Sequence, residues 1–469
     1  MRKQLYNPYL PLNEFVPDGE PHIFGDRLYI FGSHDQANGT QFCPLDYVVY
    51  STALTDLADW TYHGISYAKT QDPDNMDGSH RLNAPDVVPG NDGNYYLYYC
   101  MDLLPQIRCA VADRPEGPYQ FHGYVRHPDG RILTEFMPFD PALLNDGGRI
   151  LLYYGFTPPF PIHGEYDKNS PGCIFTELED DMLTIKGDLI PVIPAKKFAV
   201  GTSFENHAYF EAPSIRFFNG LYHLVYCPIE MNQLCHATSE RPQGPFTYRG
   251  IIVSNGDIGL KEEATAPIAN NHGGLIQINQ AYYIFYHRHT HGTMFSRQGC
   301  AERIYIQSDG TIDQVEITSQ GLHGKPLEAK GRHPAAIACN LWGKDGAKKP
   351  VFGKKSTGVP YVTSEGNGAY ISCVESGSVI GYKYFSNAQA IQLSCTARGT
   401  AKGCLQAFSV LDEKPLAIAW FEETREDWHS VHFDGSFQGT FALFLRYTGE
   451  GSLDIRDLFF HEAGEMECK

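Results

Sequence analysis

The stretch FEAPSIRFFNGLYHLVYC, residues 210–227, contains a polar residue, a short apolar strand, an Asn-Gly turn and a strand of aromatic and β-branched residues. An Asn-Gly pair between two such strands is a strong short-range signal for a β-hairpin. A similar order of polar residue, strand, Asn/Asp/Gly turn and aromatic strand recurs in PDGEPHIFGDRLYIFGS (17–33), APDVVPGNDGNYYLYYC (84–100), FDPALLNDGGRILLYYG (139–155) and NNHGGLIQINQAYYIFYH (270–287). Five related hairpins indicate a repeat architecture.

The leading polar residues of the five hairpins are Asp18, Asp86, Asp140, Glu211 and His272, which lie 68, 54, 71 and 61 residues apart. This spacing suits one four-stranded blade with long loops in each repeat. We therefore predict an all-β chain in which residues 1–323 form a five-bladed β-propeller. Because the innermost strand of each blade lines the central channel, the leading residues should meet at one mouth of that channel.

The hairpin pattern stops after about residue 325, and shorter alternating segments follow, among them QAIQLSCTARG, LAIAWF, GTFALFLRYTG and SLDIRDLFFHE. Regularly spaced strands without helical periodicity are typical of a β-sandwich. We predict that residues 324–469 form a second domain of this kind, with a jelly-roll arrangement. No segment of the chain predicts a long helix.

The chain of 469 residues carries 37 Lys and Arg against 55 Asp and Glu, a formal net charge of −18. This charge repels phosphate backbones and anionic lipids, so neither nucleic acid nor a membrane is an expected partner. The first residues contain no apolar run of signal-peptide length, and no later run approaches the roughly 18 apolar residues of a membrane span. These features predict a cytoplasmic protein and leave its oligomeric state open.

The 12 cysteines are scattered and include no Cys-x-x-Cys pair. Zinc and iron–sulfur sites need closely spaced pairs, so we expect reduced and mostly buried thiols. The histidine-rich HRHTHG, residues 287–292, spans the end of a predicted strand and a loop, which offers no fixed geometry for a transition metal. We therefore expect no cofactor in the chemistry.

Three of the leading residues, Asp18, Asp140 and Glu211, are carboxylates that the propeller would place around one mouth of the channel. Clustered carboxylates raise one another's pKa, and such clusters mark functional sites. Two carboxyl groups on either side of a sugar ring can break a glycosidic bond, because one protonates the leaving oxygen and the other activates water. These residues favour glycoside hydrolysis, with Asp18 as the group that activates water.

The motifs around these carboxylates are PDGEP, FDPALL and FEAPSI. In order and residue type they resemble glycoside hydrolase family 43, and the resemblance covers roughly residues 7–323. It implies that Asp18 is the general base, that Asp140 orients and tunes the acid, and that Glu211 is the general acid. It also implies inversion of the anomeric carbon, for which the base and acid carboxyls should lie about 6.5–9.5 Å apart.

One alternative stays open at the first motif. Many family members have Asp-Pro there, whereas this chain reads Asp18-Gly19-Glu20-Pro21, and strand alternation puts residues 18 and 20 on the same side. Asp18 matches the family position, and Glu20 is the alternative base. Asp86, in LNAPDVV, resembles the family's substrate-shaping APD step, although an Asx turn at a strand end explains it equally well.

Four further residues are candidates for substrate binding. His272 matches a fifth-blade histidine that relatives place on the axis near calcium or a water cluster, which implies a largely hydrated structural calcium beside His272. Arg297 matches a basic residue that contacts sugar hydroxyls or the acid in relatives, with a blade-edge ion pair as the alternative. Phe31 and His34, with Asp35, lie in YIFGSHD and are expected at the rim or in a subsite, unless they only pack at the strand end.

The C-terminal part resembles the family 6 type of carbohydrate-binding β-sandwich through IACNLWG, GSVIGYKYFSN and GTFALFLRYTGEGSLDIRDLFF. Its aromatic residues, with Trp420 and Trp428 as candidates, could stack on the apolar face of a sugar ring. The alternative is a domain that only buttresses the propeller. The second interpretation is favoured, since a chain without an export signal has little need to hold a wall polymer.

Together these patterns predict an inverting exo-glycosidase that releases terminal β-D-xylosyl or α-L-arabinofuranosyl residues from hemicellulose-derived oligosaccharides. The two pentoses present similar hydroxyl groups to one pocket, and the sequence does not choose between them. The alternatives are an endo-acting arabinanase, which needs an open groove, and a carbohydrate-binding propeller without activity. The three acids argue against the latter, because a binding site loses little when an acid becomes an amide.

Overall fold

The computed structural model describes residues 5–102, 104–158, 169–347, 354–366, 368–422 and 425–462. Five small antiparallel sheets follow one another up to residue 304, and each begins with one of the five hairpins. These sheets are the blades of a five-bladed β-propeller, which confirms the predicted all-β propeller. Blades 1 and 2 consist of β1 (Glu20–Phe24), β2 (Arg27–Phe31), β3 (Tyr47–Ala53), β4 (Thr61–Tyr67), β5 (Asp86–Pro89), β6 (Tyr95–Met101), β7 (Leu104–Ala112) and β8 (Gln120–Tyr124).

The first strand of each blade is the innermost one. β9 contacts both β5 and β13, and β17 contacts both β13 and β1, so these strands form a ring around the axis. The remaining blades consist of β9 (Ala142–Asp146), β10 (Arg149–Tyr154), β11 (Gly172–Leu178), β12 (Ile185–Pro194), β13 (Tyr209–Phe218), β14 (Leu221–Pro228), β15 (Gln233–Ser239), β16 (Thr247–Ser254), β17 (Leu275–Ile278), β18 (Ala281–His289) and β19 (Arg297–Ile304).

The hairpin turns have the chemistry that their sequences predict. In blade 4, Asn219 and Gly220 have φ angles of 52° and 82°, and Phe218 pairs with Leu221 across the turn. Blade 3 uses Gly147 and Gly148 in the same way, with φ angles of 62° and 98°. Two consecutive residues with positive φ make the type I′ geometry, whose twist matches that of the flanking strands.

The propeller closes through the N-terminal segment. Blade 5 forms a sheet of three strands, and Tyr9 donates its backbone N–H to Gly299 of β19 at 3.2 Å. The Asn7 side chain adds three bonds to β19: its amide donates to the Ala301 carbonyl at 3.0 Å and to Glu302 Oε1 at 2.9 Å, and its oxygen accepts the Ala301 N–H at 2.9 Å. Residues before the first repeat therefore fasten the last blade beside the first.

A larger sheet, which we call the C-terminal β-domain, follows the propeller from residue 327 onward and has its own apolar core. Its existence agrees with the predicted second domain, while the jelly-roll arrangement stays a prediction. Its strands are β20 (Leu327–Glu328), β21 (Gly331–Pro334), β22 (Asn340–Trp342), β23 (Tyr361–Glu365), β24 (Gly368–Glu375), β25 (Val379–Gly399), β26 (Lys402–Phe408), β27 (Ala417–Phe421), β28 (Arg425–His432), β29 (Asp434–Gly435), β30 (Phe437–Glu450) and β31 (Ser452–Glu462).

Helical structure in the described residues is limited to four short 3-10 segments, Lys69–Gln71, Lys196–Phe198, Gly321–His323 and Ala335–Ile337. None of the helices in those ranges has the length and apolar character needed to cross a membrane. The cysteines in the described residues are free thiols, and most of them are buried, as the scattered sequence positions predict.

Candidate active site

The three candidate acids sit where the chain leaves regular strand geometry. Asp18 and Asp140 precede β1 and β9 with φ angles of 56° and 48°, and Ala212, which follows Glu211 in a bulged part of β13, has a φ of 62°. Positive φ is uncommon for residues other than glycine and costs free energy, so it persists where the surrounding structure imposes it. This backbone conformation occurs at two of the candidate acids and at the residue directly after the third.

Two side chains from blade 5, Arg297 and His287, contact the Asp18 carboxylate. Its Oδ1 accepts a hydrogen bond from Arg297 Nη1 at 2.8 Å, and His287 Nδ1 lies 3.2 Å from the same oxygen. Burial opposes ionisation of the Asp18 carboxyl, but the Arg297 guanidinium outweighs it and holds its pKa below the ordinary value. Asp18 is therefore an ionised, buried carboxylate at neutral pH.

Glu211 has the opposite character. Burial, and then the negative charge of Asp18, raise the pKa of Glu211 to about 8, against the opposing effect of Arg297. Asp140 lies beside it, because Asp140 Oδ2 accepts the backbone N–H of Ala212 at 3.2 Å. Burial, Glu211 and Asp18 raise the pKa of Asp140 well above its ordinary value. The site thus combines one ionised carboxylate with carboxyls that retain a proton near neutral pH, which is the pairing that acid–base chemistry needs.

Glu20, the alternative base, has a structural partner on the opposite side of the axis. Its Oε2 accepts hydrogen bonds from Arg216 Nη2 at 2.8 Å and from the Ser214 hydroxyl at 3.1 Å, both in blade 4. Burial raises the pKa of Glu20 to about 7 even though Arg216 opposes the shift. Asp18 is ionised throughout the neutral range, and its charge acts on both Glu211 and Asp140. Glu20, in contrast, is partly protonated there and is bound by Arg216 and Ser214, so the site favours Asp18 as the base.

Asp86 joins three blades. Its Oδ1 lies 2.6 Å from His22 Nε2 of β1 and accepts the Val87 N–H, while its Oδ2 accepts the Leu143 N–H of β9 at 2.6 Å. The residue is fully buried. In the structure Asp86 links neighbouring blades, a role that the sequence did not predict. Its contact with substrate stays a prediction.

His272 lies on the axis between two acids. Its Nε2 is 4.0 Å from Glu20 Oε1, and its Nδ1 is 3.8 Å from Asp140 Oδ2. Burial lowers the pKa of His272 to about 4, so the ring is neutral and offers a nitrogen lone pair. Among the described residues, Glu20, His22 and Asp86 form a group of potential metal ligands, because their ligand atoms all lie within 4.8 Å of one another. His272 does not belong to this group.

Arg297 contacts the candidate base and not the acid. Besides Asp18 it binds Asp35, which accepts hydrogen bonds from Arg297 Nε at 2.8 Å and Nη2 at 3.1 Å. Its guanidinium carbon also lies 4.8 Å from the centre of the Phe42 ring. Asp35 is fully enclosed and anchors Arg297, so it does not occupy the rim position that the sequence predicts.

The other two residues expected near substrate, Phe31 and His34, have contacts that do not involve the candidate acids. Phe31 is 1% exposed and packs in the core between blades 1 and 2. His34 lies in the loop after β2, where its Nδ1 is 2.9 Å from the Asp46 carbonyl and its Nε2 is 3.9 Å from Glu14. Strand-end packing therefore accounts for both residues, and their binding to sugar stays a prediction.

Sequence reasoning missed His287, which it treated only as part of a rejected metal motif. Asp18 donates its backbone N–H to His287 Nδ1 at 3.3 Å, and Asp140 donates its own to Cys100 Sγ at 3.4 Å. His287 and Cys100 both lie near the end of the aromatic strand of the preceding hairpin. A signal was present, because the equivalent residue is Ser, Cys or Gly in four of the five hairpins and has a large side chain only in the fifth.

A five-bladed propeller whose blades bring together buried carboxyls of opposite protonation state has the acid–base pair that a glycoside hydrolase needs. The chain belongs to glycosyl hydrolases family 43, whose family model matches residues 11–312. This confirms the resemblance drawn from the PDGEP, FDPALL and FEAPSI motifs.

Among its relatives is a protein named xylosidase/arabinosidase from Thermoclostridium stercorarium, which is 41% identical over 97% of this chain and 98% of its own length. A xylosidase/arabinosidase from Bacteroides ovatus is 25% identical and is matched over 97% of its length by 66% of this chain. The crystal structure of a family 43 arabinoxylan arabinofuranohydrolase from Bacillus subtilis in complex with cellotetraose superimposes with a TM-score of 0.53 and 20% identity over 97% of both chains. The fold likeness therefore extends through the C-terminal β-domain.

Proposed function

We propose that this protein is an inverting exo-glycosidase that releases terminal β-D-xylosyl or α-L-arabinofuranosyl residues from hemicellulose-derived oligosaccharides. The observation that carries the proposal is the opposed protonation of Asp18 and Glu211 in one buried site. The name of the Thermoclostridium stercorarium relative, which is similar over nearly the whole chain, supports a pentose as the sugar.

In this mechanism Asp18 accepts a proton from water as that water attacks the anomeric carbon. Arg297 keeps Asp18 ionised and fixes its orientation through the bond to Oδ1. Glu211 donates its proton to the departing oxygen, so the glycosidic bond breaks without release of a strongly basic alkoxide. Asp140, bound to the backbone beside Glu211, holds the acid in position. One displacement by water inverts the anomeric centre.

Three substrates test this proposal: p-nitrophenyl β-D-xylopyranoside, p-nitrophenyl α-L-arabinofuranoside and debranched arabinan. Release of p-nitrophenol from either glycoside, with single pentoses as the first products from xylotriose, supports the exo-glycosidase. Internal cuts in arabinan would favour the endo-acting alternative, and no product from any substrate would favour a binding propeller. Proton NMR of the first product should show the anomer opposite to that of the substrate.

The pH dependence should reflect Glu211. Since the pKa of Glu211 is raised to about 8 and the acid acts in its protonated form, kcat/KM should be constant below that value and fall tenfold per unit above it. The pKa of Asp18 is lowered, so the base stays ionised. The decrease in kcat/KM that protonation of Asp18 causes should therefore lie well below pH 5. A kcat/KM profile on p-nitrophenyl β-D-xylopyranoside checks this, and an alkaline limb at the ordinary pKa of glutamic acid would contradict it.

We also propose that a hydrated calcium ion binds on the axis beside His272. Glu20 Oε1 is buried without a hydrogen-bond partner and faces His272 Nε2, and 4.0 Å is wide enough for an atom between them. A hard cation with mostly water ligands fits this oxygen-rich surrounding, where it would favour the ionised forms of Glu20 and Asp140.

Calcium removal should therefore lower stability. Dialysis against EDTA is expected to reduce Tm by several degrees, and added calcium should restore it, because a ligand that binds only the folded state stabilises it. His272→Ala should remove this calcium dependence. Equal Tm values with EDTA and with calcium, together with no metal by mass spectrometry, would contradict the proposal.

For the C-terminal β-domain we infer that Trp420 is better placed than Trp428 to stack on a sugar. Trp420 is 63% exposed. The guanidinium carbons of Arg398 and Arg456 lie 4.4 Å and 4.8 Å from the centre of the Trp428 ring, so that ring already has partners. The family 6 likeness of the domain rests on its sequence pattern and stays a prediction.

A further inference from the structure

Two loops that lead into strands of blade 5 bring residues to the candidate active site, and both contact the C-terminal β-domain. The 255–274 loop joins β16 to β17 and carries His272. The 290–296 loop joins β18 to β19 and leads directly into Arg297, the partner of Asp18. The position of both side chains therefore depends on what holds these loops.

The base of the 255–274 loop is held by a buried ion pair between the domains. Asp257 is fully buried, and its Oδ2 accepts hydrogen bonds from Lys383 Nζ at 3.0 Å and from the Thr265 hydroxyl at 2.9 Å. Lys383 belongs to β25 and is 5% exposed. Leu341, also in the C-terminal β-domain, donates its N–H to the Thr265 carbonyl at 3.1 Å. Removing one partner of a buried pair leaves an uncompensated charge, so this contact strongly favours one loop position.

The 290–296 loop is held by backbone hydrogen bonds. Val362 of β23 donates its N–H to the Thr290 carbonyl at 2.8 Å, and Ser356 donates its N–H to the Gly292 carbonyl at 2.7 Å. On the other side of the loop, the Ser296 hydroxyl donates to the Gln36 carbonyl of blade 1 at 3.0 Å. The segment before Arg297 is therefore fixed between blade 1 and the C-terminal β-domain.

The relative from Bacteroides ovatus is matched over 97% of its length by 66% of this chain, so the similarity to it does not extend over the whole of this chain. In this chain, part of the support for blade 5 comes from outside the propeller.

We propose that the C-terminal β-domain is a positioning element of the active site, with Lys383 and the Ser356 N–H as the contacts through which it places His272 and Arg297. The inference rests on the proposed function for its kinetic consequence. Its structural consequence, the order of the two loops, does not depend on activity.

Two pairs of variants test the proposal. Ser356→Pro removes the N–H that binds Gly292, whereas Ser356→Ala keeps it and serves as the matched control. Lys383→Met breaks the pair with Asp257, and Lys330→Met breaks an exposed lysine–glutamate pair in the same domain as its control. Lys383→Arg should rescue the function, because a guanidinium can still reach the carboxylate.

We expect Ser356→Pro and Lys383→Met to lower kcat at least tenfold with KM changed less than threefold, at temperatures where both variants are folded. Displacing a catalytic group by a fraction of an ångström to 1 Å has effects of this size. Hydrogen–deuterium exchange should rise more than twofold in peptides covering 286–298 for Ser356→Pro and covering 255–274 for Lys383→Met, and not in the controls. This second measurement also applies if the wild type shows no glycosidase activity, which would reject the proposed function alone. Unchanged exchange in both loops, or unchanged kcat in folded variants of an active enzyme, would overturn the inference.

Discussion

Replacing Asp18 by Asn should lower kcat/KM about 10³–10⁴-fold on aryl glycosides and on xylotriose alike, because an amide cannot take the proton of the attacking water whatever the leaving group is. The substitution also leaves Arg297 without one of its two carboxylate partners. Steady-state kinetics on both substrate types, with Tm measured alongside, checks the prediction.

Two controls separate this result from a general loss of structure. Asp26→Asn alters an exposed acid in the same β1–β2 hairpin and should keep wild-type activity. Glu20→Gln should lower Tm, because it weakens the Glu20–Arg216 pair across the axis, while kcat stays within about tenfold of the wild type. If Asp18→Asn stayed active and Glu20→Gln did not, Glu20 would be the base.

The second large effect should be selective for substrate. Glu211→Gln is expected to lower kcat/KM about 10³-fold on xylotriose, where the departing oxygen is strongly basic and needs a proton. On 2,4-dinitrophenyl β-D-xylopyranoside the loss should be about tenfold or less, since that group departs as an anion without help. The alkaline limb near pH 8 should also disappear, because the group that produces it is gone.

Glu230→Gln, at a partly exposed acid on the same blade, is the matched control. It should retain the wild-type kcat/KM and the alkaline decrease in kcat/KM near pH 8. An equal loss on the two substrates would mean that Glu211 is not the acid. A persistent limb near pH 8 would assign that ionisation to another group, with Asp140 the first candidate because its pKa is also raised.

The hairpins could be predicted because their signals are local. The Asn219-Gly220 and Gly147-Gly148 turns need φ angles that these residues adopt readily, and the strands on either side alternate or are rich in Tyr. The C-terminal β-domain was harder, because QAIQLSCTARG, expected as a separate short strand, forms only the second half of the 21-residue strand β25. A long strand that changes partners along its length has no local signature, since its register depends on which neighbours it meets.

The sequence by itself determined which acids share the leading position of the repeat: it places Asp18, Asp140 and Glu211 at equivalent points of three blades, and a repeat of this kind brings equivalent points to one axis. The tertiary structure decided the protonation state of each acid. Asp18 is ionised because Arg297, 279 residues away, donates to its Oδ1 and is itself anchored by Asp35. Glu211 keeps its proton because it is buried beside that negative charge. A pKa depends on burial and on charges within a few ångströms, and neither can be predicted from how far apart two residues lie in the sequence.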